Sequence, residues 1–477
     1  MGRRRVNDMD RRALSLLAHA QTHAGIMNLT RSTWSFLGPF GVIVFCCSAI
    51  LWAEEKPNFV LLLSDDAGYA DFGFQPNVTD DYRQLTPRID SIAEQGCRFS
   101  NAYVSAAVCS PSRAGMMTGR YQQRFGHDNN IPPGYMAGGL PLTETFLPKR
   151  LKSIGYTTGL IGKWHLGYPA EYQPNQRGFD YFYGCLQGSR KYFPIKDVSP
   201  HRVFLENTTP TPEVGYVTDR IGDAACRFIE TNKDDPFFLF VSFTAPHGPL
   251  DVKPEYLESL SAIRPIKRRK NAGLIASLDE NVGKILDQLE SQGVAQNTLV
   301  VFTNDNGGQT QSGAINQPLR GRKGQLWEGG IRVPMAMRWP DQIAAGTVLE
   351  DPVISLDLFP TFFAAAKQPV SPDWNLDGVN LLDYITGQAE ELPKRQLFWR
   401  RHGGNGNLAV REGDWKLIYQ RKEPGAKPEL YQLNNDIAES SDVADQYPAR
   451  VQEMVDKAAA WEAGLVEPLW GMNRRTR

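Results

Sequence analysis

Read for its apolar and polar positions, the chain is a series of short continuous apolar runs separated by stretches of helical period. Pro57-Asn58-Phe59-Val60-Leu61-Leu62-Leu63-Ser64 is apolar without alternation and bounded by polar residues. A strand covered on both faces of a parallel sheet has that texture, because neither face meets water. The pattern recurs at Thr157–Ile161, Phe237–Phe243 and Leu299–Phe302, and each run leads into a short loop rich in Gly, Pro or Asn. Between the runs, Thr86 before Pro87 predicts a helix start, with Thr86 as N-cap and Pro87 at the first helical position, and Gly96 predicts its end. Leu274, Leu278, Val282, Ile285, Leu286 and Leu289 fall on one helical face and predict an amphipathic helix ending near Gly293. Strand, loop, helix, strand is an α/β chain, and such sheets gather ligands beyond the carboxyl ends of their strands. All the polar loops are therefore expected on one rim. After about residue 385 the texture changes to strand-like pieces, Leu408–Arg411 and Trp415–Tyr419, and a polar helix around Ala449–Ala463. We expect a small antiparallel C-terminal subdomain over 386–477 beside a main domain over 54–385.

Composition narrows the class. With 477 residues, 41% hydrophobic and 22% charged, the chain has apolar material for a large core, which excludes disorder and a disulfide-stapled miniprotein. The net charge of −1 gives no reason to expect nucleic-acid binding. Residues 1–53 stand apart: arginines at 3, 4, 5, 11, 12 and 31, then an apolar run from Trp34 to Trp52 broken by Gly38, Pro39 and Gly41, then Ala53. This predicts an export leader, with Met27 as an alternative start, and a periplasmic or secreted protein. An uncleaved membrane anchor is the other reading, since the run approaches the ~20 residues of a span. Beyond Cys46-Cys47 the chain has Cys97, Cys109, Cys185 and Cys226, without CxxC or zinc-finger spacing, so at most one or two are expected to pair. Lys267-Arg268-Arg269-Lys270 reads as a solvated loop or helix start.

Candidate chemistry sits in the loops. Asp65-Asp66 follow the first run and Asp305-Asn306 follow the fourth. Either pair alone is an ordinary turn. Both at equivalent positions offer four oxygen donors to a hard divalent cation, Ca²⁺ or Mg²⁺. In Cys109-Ser110-Pro111-Ser112-Arg113-Ala114, Ser110 reads as a helix cap and Pro111 as the first helical residue, so Cys109 is expected just before a helix N-terminus. A thiolate nucleophile is one reading and a small buried cysteine the other. Lys163, His165, His247 and Lys323 each occupy a Gly/Pro-rich loop. Gly162-Lys163 is no phosphate-binding P-loop, because Trp164 stands where Ser or Thr is needed. With Arg113 and the acidic pairs these residues make a cation-plus-metal cradle for a tetrahedral oxyanion, a sulfate or phosphate ester.

Cys109-Ser110-Pro111-Ser112-Arg113-Ala114-Gly115-Met116-Met117-Thr118-Gly119-Arg120 resembles the first motif of type I sulfatases, and Gly155–Gly167 resembles the second. The similarity runs from Asn58 to about Leu433 and takes in Asp65-Asp66, Asp305-Asn306-Gly307, Lys323-Gly324 and Leu430-Tyr431-Gln432-Leu433. It implies an alkaline-phosphatase-like α/β fold, with a large mixed central sheet flanked by helices, that hydrolyses sulfate esters. The resemblance further implies that a formylglycine-generating maturation enzyme oxidises Cys109 to Cα-formylglycine, whose hydrate attacks sulfur. Asp65, Asp66, Asp305, Asn306 and the modified Cys109 would bind Ca²⁺, with Mg²⁺ the less expected ion. Arg113 would hold the formylglycine, Lys163 and Lys323 the sulfate oxygens. His247 with Lys323 would assist departure of the alcohol, and His165 would be the base that releases sulfate. The expected substrate is a sulfated carbohydrate. A phosphoesterase or phosphonate hydrolase of the same superfamily, and a non-catalytic glycan-binding relative, are the rival readings. Arg322 stands where relatives often carry glycine, and Cys185 lies in a stretch that usually lines the substrate pocket. Ser189, His127, Asn129, Asn130, His201 and His402 are further pocket candidates.

Overall fold

Backbone pairing turns the four apolar runs into neighbours at the centre of one sheet. The computed structural model describes residues 55–404 and 406–471, so the expected leader, 1–53, lies outside the described residues. The central strands are β1 (Asn58–Ser64), β2 (Thr157–Lys163), β3 (Phe237–Ser242) and β4 (Thr298–Asn304), all parallel, in the spatial order β4-β1-β3-β2. Every residue of β1, β3 and β4 is buried, which is why their sequences do not alternate.

The sheet extends to ten strands. Beyond β2 lie Tyr181–Cys185, parallel, and the antiparallel pieces Leu205–Glu206 and Thr209–Pro210; beyond β4 lie Met335–Arg338, antiparallel, then Cys97–Phe99 and Thr347–Leu349. The large mixed sheet of an alkaline-phosphatase-like fold is thus present. Successive side chains of β1 serve two layers: Phe59, Leu61 and Leu63 pack with helices Cys109–Thr118 and Leu358–Ala365, and Val60 and Leu62 with Val217–Asn232 and Ile266–Ser291.

Several expectations need adjustment. Thr86 occupies the N-cap position, but its hydroxyl accepts from Gly73 N–H and donates to Asp90; Asp279, on the long helix, accepts the free N–H groups of Arg88 and Ile89 instead. Tertiary capping of this kind leaves no local signal. The long helix starts at Ile266, so the basic run forms its first turns. Arg268 is not solvated: it is buried, paired with Asp71 and Asp81, and stacked 3.2 Å over the Tyr82 ring. Cys97, Cys109, Cys185 and Cys226 are all free thiols. No described helix is long and apolar enough to cross a membrane.

The C-terminal strands β5 (Gln396–Arg401), β6 (Asn407–Glu412), β7 (Trp415–Tyr419) and β8 (Glu429–Gln432) form a four-stranded antiparallel sheet in sequence order, with helix Pro448–Glu462 packed on it. It is fastened to the rest by buried polar groups. Lys416, fully buried on β7, reaches Glu328 at 2.8 Å and Glu439 at 2.7 Å, and Trp399 Nε1 donates to the Val104 carbonyl at 2.7 Å. Burial works to raise the Glu328 pKa, yet Lys416, Arg332 and Arg411 hold it at about 2. Glu439, raised by burial and by Glu328 against the pull of Lys416, is pushed up to about 7.

Removing Lys416 leaves the buried Glu439 without its cation and Glu328 paired with only Arg332, 3.2 Å away, so Lys416→Met should cost about 3–5 kcal/mol, read as a fall in the urea midpoint. Because the Glu439 pKa is raised in the fold, the folded state binds the proton more tightly than the unfolded chain. Its contribution is fully present below about 4.5 and is lost as pH rises to about 7. The wild type should therefore lose stability relative to Glu439→Gln across that window, measured by urea unfolding at stepped pH.

Candidate active site

Register brings the acidic pairs together. Ser64 is aligned with Asn304 across the β1/β4 pairing, and Asp305 N–H donates to the Ser64 carbonyl at 3.1 Å. Asp65 and Asp305 therefore leave adjacent strands at one level. On the other flank, β2 brings Lys163 to the same edge. Its penultimate residue, Gly162, has φ +112°, and a Cβ there would lie 2.0 Å from the Ser242 carbonyl oxygen, so only glycine lets β2 and β3 approach this closely.

The helix carrying Cys109 begins earlier than its sequence suggests. Val108, in extended conformation, is the N-cap; Cys109 is the first helical residue and Pro111 the third. Proline is tolerated there because the first N–H groups of a helix have no intrahelical acceptor. Ser110 does not cap: its hydroxyl donates to the His165 carbonyl at 2.8 Å and lies 2.6 Å from His127 Nε2. A hydroxyl has one hydrogen, so His127 must donate from Nε2. All ten residues of the helix are buried.

Three carboxylates and three cations meet around the sulfur. Arg113 pairs with Asp305 at 2.9 Å and reaches the Ser242 hydroxyl; Lys163 Nζ is 2.5 Å from Asp65 Oδ2; Lys323 Nζ is 2.5 Å from Asp66 Oδ1 and 3.1 Å from Cys109 Sγ. Cys109 Sγ lies 3.6 Å from Asp65 Oδ1, and His247 Nε2 lies 3.5 Å from Asp66 Oδ2. His247 Nδ1 is 2.7 Å from the Gly248 carbonyl, which can only accept, so Nδ1 carries hydrogen and Nε2 is the atom that faces the cluster. Burial alone would raise the Asp65 pKa, but Lys163, His247, Arg113 and Lys323 together hold it far below the usual carboxylate range. Asp305 moves up, through burial and the neighbouring Asp65. Lys163 and Lys323 are raised because the carboxylates and Cys109 outweigh the cost of burial. Burial, followed by the Asp305 charge, pushes the Cys109 thiol up to about 12, so this charge environment favours the neutral thiol over the thiolate. Burial, then Lys163 and Arg113, hold His165 well below its usual value.

The donor set fits a hard cation. Potential ligand atoms of Asp65, Asp66, Cys109 and His247 lie within 4.8 Å of one another. Asp305 Oδ1 and Asn306 Oδ1 are buried at the same place without a hydrogen-bond partner. Orphaned carboxylate and amide oxygens converging beside two further carboxylates are what Ca²⁺ or Mg²⁺ coordinates.

The cluster opens through a mouth of about 180 Å³, lined by Cys109, His165, His247 and Lys323 together with Asn130, Tyr168 and Ser189. Of the other pocket candidates, Asn130 also accepts from Ser110 N–H at 3.0 Å. Asn129 and His402 are bonded to each other at 2.9 Å behind it, and His127 is fully buried against Trp470, so these support the wall rather than line it. His201 lies against Tyr168 with ring centroids 4.7 Å apart, and Cys185 is fully buried with its sulfur at the carbonyl of the mouth-lining Gln187, so neither lines the mouth itself. Sequence reasoning passed over Tyr168, one residue beyond the second motif, and Ser242, the last residue of an apolar strand with nothing to distinguish it.

A sheet of this topology, with a cation-and-carboxylate cluster around a cysteine at a helix start, defines a member of the sulfatase family, and the chain belongs to it: the family profile "Sulfatase" matches residues 57–368. A second, "N-sulphoglucosamine sulphohydrolase, C-terminal", matches residues 322–460. Among curated relatives, arylsulfatase J of Mus musculus is 34% identical over 380 residues, 77% of this chain and 62% of the mouse protein. N-acetylgalactosamine-6-sulfatase of Mus musculus is 34% identical over 389 residues, 76% of this chain and 72% of that one. Among solved structures, Ps i-CgsB in complex with k-i-k-neocarrahexaose superposes with a TM-score of 0.82 at 35% identity, covering 87% of this chain and 95% of the other.

If the orphaned oxygens serve a cation, Ca²⁺ should raise the thermal midpoint of the purified protein in proportion to the logarithm of its concentration. Asp305→Asn should abolish that shift, as scanned by calorimetry in chelator and in added Ca²⁺.

Proposed function

We propose that the protein is an exported sulfatase that hydrolyses a sulfate ester of a carbohydrate, using Cys109 after its conversion to Cα-formylglycine by a separate maturation enzyme. The observation that carries this reading is the position of Cys109: its sulfur sits 3.1 Å from Lys323 and 3.6 Å from Asp65, at the floor of the mouth, in a chain of the sulfatase family. The relatives, an N-acetylgalactosamine-6-sulfatase and a protein in complex with k-i-k-neocarrahexaose, support a glycan substrate.

Asp65, Asp66, Asp305 and Asn306 would hold Ca²⁺ together with the group at position 109, and the ion would supply charge neutralisation and a lowered hydroxyl pKa at the nucleophile. Arg113, fixed by Asp305 and Ser242, positions the side chain at 109. Lys163 and Lys323 donate to the sulfate oxygens, placing fixed positive charge where negative charge must be accommodated. His247 Nε2, at the rim, gives a proton to the departing alcohol, whose alkoxide leaves poorly. His165 takes up the proton that accompanies sulfate release. Its backbone is fixed from behind, because Ser110 holds its carbonyl and its own N–H is tied to Leu186.

Mass spectrometry of the peptide spanning position 109, from protein made in a host with the maturation enzyme, should show the aldehyde or its hydrate in place of the thiol. Cys109→Ala should lower kcat on nitrophenyl sulfate by about 10⁴-fold or more. Faster turnover of the matched phosphate ester, or full activity with the thiol intact, would overturn the proposal.

A further inference from the structure

A second concavity, about 300 Å³ in volume, adjoins the mouth that holds Cys109. Lys323 lines the first and Gly324 lines the second, so the two share the Lys323-Gly324 step as a wall, about 3.8 Å from Cα to Cα. Arg401, the last residue of β5, stands in this second concavity. Its guanidinium lies against Gly324, where a Cβ would stand 2.9 Å from Nη1 and 3.3 Å from Nη2; a side chain at 324 would displace it.

Among the described residues Arg401 differs from its partly buried arginine neighbours in lacking a side-chain acceptor, and from Arg322, which also lacks one, in being withdrawn from full exposure. Arg400 is paired with Asp128, Arg395 with Asp357, Arg421 with Glu462, Arg411 with Tyr103 and Asn101, and Arg320 with Tyr431. Among the described residues Arg401 makes no side-chain hydrogen bond or ion pair, although it is partly buried and burial lowers its pKa with no carboxylate to offset it. A guanidinium partly withdrawn from water and without a counter-charge keeps its planar fork of five N–H donors free, and that fork matches sulfate or carboxylate oxygens in pairs. The strand end is also tied to the mouth: His402, the next residue, bonds Asn129, which adjoins the mouth-lining Asn130.

We propose that Arg401 is the centre of a second anion subsite, which takes a sulfate or carboxylate on the sugar adjoining the one whose ester faces Cys109. This rests on the sulfate-ester reading above and adds to it that the preferred substrate is an oligosaccharide with more than one anionic group. Glu423 and Glu429 also line the concavity, Glu429 held by the Tyr431 hydroxyl. Their charge restricts the subsite to a single anion on the Arg401 side, since a further one would meet like charge.

The test compares the full-length wild type, Arg401→Gln and Arg401→Lys on nitrophenyl sulfate and on two oligosaccharides of one backbone, bearing one and two sulfates per disaccharide. Binding of the oligosaccharides is measured in parallel by calorimetry in a Cys109→Ala background. Arg401→Gln should raise KM and Kd for the disulfated ligand by about 10- to 100-fold, the range for a hydrogen-bonded charge pair. The monosulfated ligand and nitrophenyl sulfate should be unaffected, and Arg401→Lys should recover part of the loss. Equal losses on all three ligands, or unchanged affinity for the disulfated one, would overturn the subsite. Failure of the wild type to hydrolyse any sulfate ester would overturn the functional reading instead, and the calorimetric comparison would still decide the subsite.

Discussion

The structure depends on concentrating charge at the carboxyl edge of a buried sheet. Asp65, Asp66 and Asp305 stand within one cluster because β1 and β4 are adjacent, parallel and in register, and a strand buried on both faces offers no water to dissipate their repulsion. Arg113, Lys163 and Lys323 supply the compensating charge, each from a different segment: the middle of a helix, a strand end and a glycine-bracketed loop. Buried ion clusters of this kind cost desolvation and contribute little to stability. On the proposed reading, their presence is explained by what the cluster does to a reacting anion rather than by what it does for folding.

The C-terminal sheet is held by the same physics used for a different end. Lys416 between Glu328 and Glu439 is as buried as the cluster around Cys109, but its charges are satisfied internally. Glu328 opens the short helix Glu328–Ile331, a few residues after Lys323, so this lock and the rim of the active site lie on one loop. The strand β5 makes the link in the other direction, carrying His402 to Asn129.

Much of this architecture is legible in the sequence. Four continuous apolar runs announced the parallel core, since only two-sided burial explains their lack of alternation, and the polar residues after each run did converge. The helix at Ile266–Ser291 and the strand Trp415–Tyr419 followed their patterns closely. The misses share a cause. Ser110 looked like a cap because its type suits one, yet the hydroxyl went to His165, fifty-five residues away. Thr86 failed as a cap because Asp279 arrived from the long helix, and Arg268 looked solvated because Asp71 is distant in sequence. Local chemistry marks what a side chain can do; which partner it takes is decided by tertiary approach. Arg401 shows the limit most plainly, for nothing in Trp399-Arg400-Arg401-His402 separates the paired arginine from the unpaired one.

The burial of the helix Cys109–Thr118 has a consequence in time rather than in space. Cys109 is 1% exposed and every residue of its helix is buried, so the backbone around it is out of reach even though the mouth opens onto its side chain. A macromolecular catalyst that must grip this stretch of backbone can do so only while the polypeptide is still open, before the sheet closes over it. On the proposed reading, competence is settled once, during biogenesis. Molecules that collapse too early would be well formed, long-lived and permanently inert, so the ratio of folding speed to processing speed would set how much of the cell's supply can ever work.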